Sequence, residues 1–315
     1  MQDRSLAAAA MIAGYAAIIA FTDNFVRVIA ADAGLWQFHA TRSAMGLALL
    51  VPLAAVIGMR LRPLRPWAVL ARSVIHAGAM VIYFGALAFL PVTQVAAGLF
   101  TAPIFVVLIS GLVYRRPIGA LKVLAVLVGF AGVLLVLGPS VMAGATVAGV
   151  LPVVAGAMYA TGNIATREWC ADETAGTLLA GFFAMLGLAG LLGMAVLLLW
   201  PQPVPEGIQG FVLRGTVTPS DRFLYWSFVQ AAGSLIAVGL MIRAYQVADA
   251  SRVSVFEYVI LPASAFWSYV LWGWTTDWVA WAGMALIVVA GVVIALVGRE
   301  AVSRPRPAAS GGGTG

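Results

Sequence analysis

Charge is what this sequence has least of. Asp, Glu, Lys and Arg together make up 10% of its 315 residues, against roughly a quarter in soluble domains. Water-facing surfaces are built largely from those four side chains, so a soluble globule of this length is excluded. Disorder is excluded too, because unfolded chains are poor in apolar residues and 63% of this chain is apolar. The single cysteine, Cys170, leaves no intrachain disulfide and no CxxC spacing. Only two histidines occur, His39 and His76, and neither HExxH nor GxSxG is present. An enzyme would need a nucleophile with a base in reach or a ligand cluster, so no catalytic residue, metal or cofactor is expected. The net charge of +6 comes from scattered basic residues, without the stripe and interleaved aromatics of a nucleic-acid face. No nucleic-acid partner is expected.

Long apolar runs are what the sequence does have. About 20 apolar residues in a helix cross a hydrocarbon core, and ten runs qualify: roughly 6–29, 36–58, 67–89, 92–114, 118–137, 147–167, 174–199, 222–247, 252–272 and 277–297. They lack the ten-residue alternation of a lipid-facing barrel. The fold class expected is therefore an all-α integral membrane protein with ten transmembrane helices. The run from Leu6 to Ala30 is too long for a signal-peptide core and carries Asp23 and Arg27, which suits a retained helix. Connections are short except for 200–221, whose prolines and glycines predict an irregular loop. Residues 299–315 predict a disordered cytoplasmic tail. With the N-terminus inside, fourteen of the 18 Lys and Arg residues fall on the inner side, where positive charge is retained. Both termini are expected in the cytoplasm, in a plasma (inner) membrane.

The chain also repeats itself. Laying 86–138 against 244–297 sets Ala86 on Ala244, Thr93 on Ser251 and Val95 on Val253, and after a one-residue shift Pro103 on Pro262 and Gly132 on Gly291. Asn24-Phe25-Val26 likewise matches Asn163-Ile164-Ala165. Five spans per half is an odd number, so the second half enters the membrane from the opposite side, as in the inverted repeats of secondary transporters. The expected units are 1–140 and 141–298.

Asn24-Phe25-Val26, Arg42, LFTAPIF at 99–105, GFAGVLLVLGP at 129–139, FEYVILP at 256–262 and GMALIVVAGVVIAL at 283–296 follow in an order and spacing that resembles the EamA-type ten-helix transporters of the drug/metabolite transporter superfamily. The resemblance implies two EamA-like five-helix repeats and export of small metabolites, amino acids among them. Where that family often carries Gly-Glu after spans 4 and 9, this chain has Tyr114-Arg115-Arg116 and Trp272-Gly273-Trp274.

Polar groups at membrane depth are costly and mark function by default. His76 lies halfway along span 3 with Tyr83 seven residues on, hence on the same face. Glu257, within span 9, has the charge to meet a substrate ammonium or carry a proton. Tyr159 precedes Asn163 by one turn, and Tyr258 adds a ring able to attract a cation. These six are the expected substrate-binding residues, and together they suit a small amphipathic solute such as an amino acid. Pro103 and Pro262 each remove a helical hydrogen bond and predict symmetry-related bends that shape a cavity. Asp23 and Arg27, spaced i, i+4, predict a pair that gates its outer end beside Arg42. The expected partners are a small-molecule substrate and the bilayer. A channel would offer a similar polar path, but without saturation or substrate-driven exchange.

Overall fold

A computed structural model of the protein describes residues 4–86, 90, 92–116, 118–137, 149–273, 275 and 277–303. All their regular structure is helical: α1 (Ser5–Asp23), α2 (Val26–Asp32), α3 (Leu35–Val56), α4 (Pro66–Ala86), α5 (Val92–Leu99), α6 (Ala102–Leu112), α7 (Ala120–Leu137), α8 (Val150–Glu168), α9 (Ala175–Leu199), α10 (Asp221–Val247), α11 (Ala250–Phe256), α12 (Ile260–Trp272) and α13 (Trp278–Ser303). Seven stretches, those of α1–α2, α3, α4, α7, α9, α10 and α11–α12, are long and apolar enough to cross a membrane. The other three expected runs are helical as well, but α6 and the apolar part of α13 are shorter. The boundary expected at 140/141 and the tail from 304 onward lie outside the described residues. The first five tail residues, 299–303, continue α13 instead of starting a disordered segment.

Three runs expected as single helices are broken. Asn24 turns its amide back onto the Ala20 carbonyl (2.7 Å), a local bond that competes with the helix ladder, and α1 gives way to α2 at Asn24-Phe25. The Thr101 hydroxyl donates to the Gly98 carbonyl (2.6 Å) where α5 ends, and Pro103 stands in the first turn of α6. A 3₁₀ turn, Glu257–Val259, separates α11 from α12, with Pro262 three residues into α12. The prolines thus open new helices, where a missing N–H costs little, rather than bending continuous ones. Arg115 adopts a left-handed conformation, φ 48°, at the place where the family resemblance leads one to expect a glycine.

The helices pair in a regular way: α7 on α13, α3 on α9, α1 on α10, α4 on α8, α4 on α9 and α10 on α3, with α5 and α6 against α8, and α11 and α12 against α1. Glycines set the closest approaches. At Gly190 an added β-carbon would lie 2.6 Å from the Trp36 carbonyl, and at Gly132 it would lie 2.6 Å from the Gly283 carbonyl. The 200–221 connection is more ordered than its composition suggests. Phe211 is fully buried, its carbonyl accepts from Leu35 N (2.8 Å), and Gln37 exchanges two bonds with the Val217 backbone (2.8 and 2.9 Å). Arg214 covers the Ala30 and Ala33 carbonyls at the end of α2.

Cys170, between α8 and α9, is buried, and burial pushes its thiol up to about 11. That leaves a thiolate fraction on the order of 10⁻⁴ at pH 7, against a few per cent for a free thiol. Maleimide at pH 7 is therefore expected to label the folded chain at a small fraction of the rate seen after denaturation. Equal rates would mean that the α8–α9 junction is open.

Candidate functional site

One seam gathers several of the buried polar side chains. Along α8, Tyr159, Gly162, Asn163 and Thr166 share a face through their i, i+3, i+4, i+7 spacing, and that face meets α4. A β-carbon at Gly162 would fall on the His76 ring, so this glycine is what lets the imidazole lie flat on α8. His76 Nε2 is then 3.0 Å from Asn163 Oδ1, Nδ1 is 3.3 Å from the Arg72 carbonyl, and the ring meets Tyr159 edge-on at 5.6 Å. Arg72, one turn earlier on α4, is fully buried and donates to Thr166 Oγ1 (3.0 Å) and the Leu178 carbonyl (3.1 Å). Charge counting places it at the inner connection, but its role is to tie α4 to α8 and α9.

The seam leads to Glu257. Asn163 Nδ2 donates to Glu257 Oε1 at 3.4 Å, the carboxylate is buried, and Tyr159 and Tyr245 stand around it. The Tyr159 hydroxyl contacts Tyr15 (3.3 Å) and Met241 Sδ (2.8 Å). The Tyr245 hydroxyl is buried beside Glu257 and Asn163.

A second polar group sits on α1, α3 and α10. Gln230 Nε2 donates to the Thr22 carbonyl (2.9 Å) and to Asp23 Oδ1 (3.2 Å), while its Oε1 lies 3.5 Å from Arg42 Nη1. Arg42 is buried over the rings of Phe38 (5.1 Å) and Phe84 (5.6 Å).

Both groups face one cavity of about 100 Å³, lined by Asp23, Arg42, His76, Tyr159, Gln230 and Glu257 among aromatic and aliphatic side chains. It shares Asp23, Tyr83, Phe84, Phe100 and Ile260 with a second cavity of about 500 Å³, which Arg27 and Phe211 also line. The two together fall within the roughly 300–1,000 Å³ typical of small-molecule sites. Away from the 200–221 connection, ion pairs tie the helix ends. Arg116 meets Glu168 (2.8 Å) and Asp249 (3.7 Å), Lys122 meets Asp249 (3.2 Å), and Arg167 donates to the Ala248 carbonyl. Burial works to raise the Asp249 carboxyl, but the Ser251 hydroxyl and the Lys122 ammonium outweigh it and hold it below the ordinary carboxylate range. The stability it contributes is therefore present above the ordinary range and is lost as the pH falls through the lowered value.

Of the expected binding residues, His76, Tyr83, Tyr159 and Glu257 line the first cavity, and Asn163 sits behind, joining His76 to Glu257. Tyr258 does not join them: its ring packs 2.7 Å from where a Gly129 β-carbon would be, against α7. Pro103 lines the cavity, whereas Pro262 is not among the lining residues of either one. Asp23 and Arg27 are not on one continuous helix, since the chain breaks between them, and Asp23 takes the Gln230 amide. Gln230, Arg72 and Tyr245 were not among the expected site residues. Arg72 and His76 at i, i+4, and Gln230 and Ser234 at i, i+4 within an apolar run, are the signals that point to them.

Comparison with known proteins gives a consistent picture. The model of the EamA-like transporter family matches residues 6–138. A riboflavin transporter of Rhizobium johnstonii is 26% identical over 272 residues, 84% of this chain and 80% of its own. The pseudopaline exporter CntI of Pseudomonas aeruginosa is 26% identical over 255 residues, 80% of this chain and 83% of its own. One solved crystal structure covers 95% of this chain and 100% of its own with a TM-score of 0.73 at 17% identity, a likeness of fold alone.

Proposed function

We infer that this chain, a member of the drug/metabolite transporter superfamily with an EamA-like first half, is a secondary transporter that exports small amphipathic solutes bearing an amine, amino acids foremost, by alternating access. The observation that carries the substrate class is Glu257: a buried carboxylate in a cavity whose lining is mostly aromatic and aliphatic, bonded only to uncharged groups among the described residues. A buried charge without a counter-charge is costly, and a substrate ammonium supplies one while its apolar part meets the rings. His76, Asn163 and Tyr159 orient the carboxylate and the solute beside it.

Alternating access is supported by the helix pairings. Exchanging α1 with α8, α3 with α9, α4 with α10, α5–α6 with α11–α12 and α7 with α13 carries the largest helix pairings onto one another. This is what two five-span repeats, 1–140 and 141–298, would produce if their axis lies in the membrane plane. In this reading the chain crosses an inner membrane ten times with both termini in the cytoplasm. The Arg116, Lys122 and Asp249 cluster closes the inner end while the cavities extend toward the outer connection.

A second reading is favoured by a specific observation. Relatives along four-fifths of the chain are riboflavin transporters, and a planar heteroaromatic ring would suit Phe84, Phe100 and Tyr83. Counterflow into proteoliposomes distinguishes the two. Preloaded L-phenylalanine is expected to drive saturable uptake of labelled L-phenylalanine, with riboflavin exchanging poorly. Exchange of riboflavin alone would select the second reading, and unsaturable flux without exchange would make the protein a channel.

A further inference from the structure

Arg42 is a charge with too few partners. It is 4% exposed, it lines the central cavity, and its Nε has no hydrogen-bond partner among the described residues. Among the described residues its one hydrogen-bond contact is Gln230 Oε1, at the long distance of 3.5 Å. The rings of Phe38 and Phe84 hold the guanidinium from the side, and His39, one turn earlier on α3, is fully buried with neither nitrogen hydrogen-bonded among the described residues. Asp23 faces the same cavity yet forms no ion pair with Arg42 among the described residues. Gln230 stands between them, its amide on the carboxylate and its oxygen toward the guanidinium. In a span, where opposite charges ordinarily pair, an acid and a base kept apart by a neutral side chain make a receptor for something else. A guanidinium with open donors matches a carboxylate, which it can bind through two parallel hydrogen bonds.

We propose that Arg42, kept out of an ion pair with Asp23 by Gln230, is the anion-recognising residue of the cavity and restricts transport to solutes that carry a carboxylate at one end and an amine at the other. This deepens the reading of the cavity as the substrate site and rests on it. Glu257 takes the amine, Arg42 takes the carboxylate, and the aromatic wall between them takes the apolar part. The solute is thus a zwitterion of amino-acid type. An amine without a carboxylate lacks the second anchor.

The test uses the full-length chain in proteoliposomes and three probes: L-phenylalanine, its methyl ester and phenethylamine. In the wild type, phenylalanine should exchange at least about tenfold faster than the ester or the amine at low concentration, since a hydrogen bond to a charged group is worth about that factor or more. Arg42→Gln should remove that preference by slowing phenylalanine at least about fivefold more than phenethylamine. Arg42→Lys, which keeps the charge and loses the fork, should restore part of the preference. An ester that exchanges as fast as phenylalanine in the wild type overturns the proposal without any variant, even if Arg42→Gln fails to fold. So does a folded Arg42→Gln that slows all three probes equally. If instead the wild type exchanges none of the probes, the amine-transporter reading falls and takes this proposal with it.

Discussion

Replacing Glu257 by glutamine is expected to lower L-phenylalanine counterflow at low concentration by roughly 30-fold or more, because removing one member of a buried, hydrogen-bonded charge pair costs about 2–5 kcal/mol. Folded protein should not fall with it. The amide keeps the shape and can still meet Asn163, and it spares the apo protein a buried carboxylate that has uncharged partners alone among the described residues. Measuring both the exchange rate and the gel-filtration yield of the detergent-extracted protein separates the two effects. Exchange within about threefold of the wild type would remove Glu257 from the site.

The second large effect is expected at a residue with no side chain. A β-carbon at Gly162 would overlap the His76 ring, which lies between α4 and α8 with Asn163 on one side and Tyr159 on another. Gly162→Val should destabilise the protein by about 1–3 kcal/mol, the usual cost of overfilling a packed site, and should be visible as a lower thermal midpoint in detergent. Gly162→Ala should do less to the fold. It should still move the imidazole off Asn163, and so cut transport more than stability. A Gly162→Val protein with an unchanged midpoint would show that the α4–α8 seam is looser than its contacts imply.

The sequence makes some of this legible and hides the rest for physical reasons. Apolar runs locate the helical regions among the described residues but not the breaks within three of them, because a chain crossing lipid must satisfy its backbone internally. Helical spacing alone puts His76 and Tyr83 on one face and Tyr159 and Asn163 on another, while the meeting of the two faces is visible only in the structure. Tyr258 lines neither cavity for a simple reason: consecutive residues in the 3₁₀ turn Glu257–Val259 point about 120° apart, which turns the Tyr258 ring toward α7. The expected Asp23–Arg27 pairing assumes an unbroken helix, and the Asn24 side chain bonding to Ala20 interrupts it. Arg72 lies six residues into α4, close enough to the connection for charge counting to place it there, and only the approach of α8 and α9 reveals that it is enclosed. Gln230 carries no charge and matches no motif. Its importance comes from standing between two charges that are 19 residues apart in sequence and on different helices.

The meeting of α7 and α13 has a consequence for how the chain can vary. A β-carbon at Gly132 would sit 2.6 Å from the Gly283 carbonyl, and one at Gly283 would sit 2.6 Å from the Gly132 carbonyl. Each residue touches the other's backbone in the same way, as paired residues do in an isologous dimer contact. In a true homodimer one codon change alters both sides together. Here the two positions change separately, and whichever changes first pushes the helices apart and relieves the constraint on the other. Their costs are therefore not additive, and the pair drifts or persists as one unit.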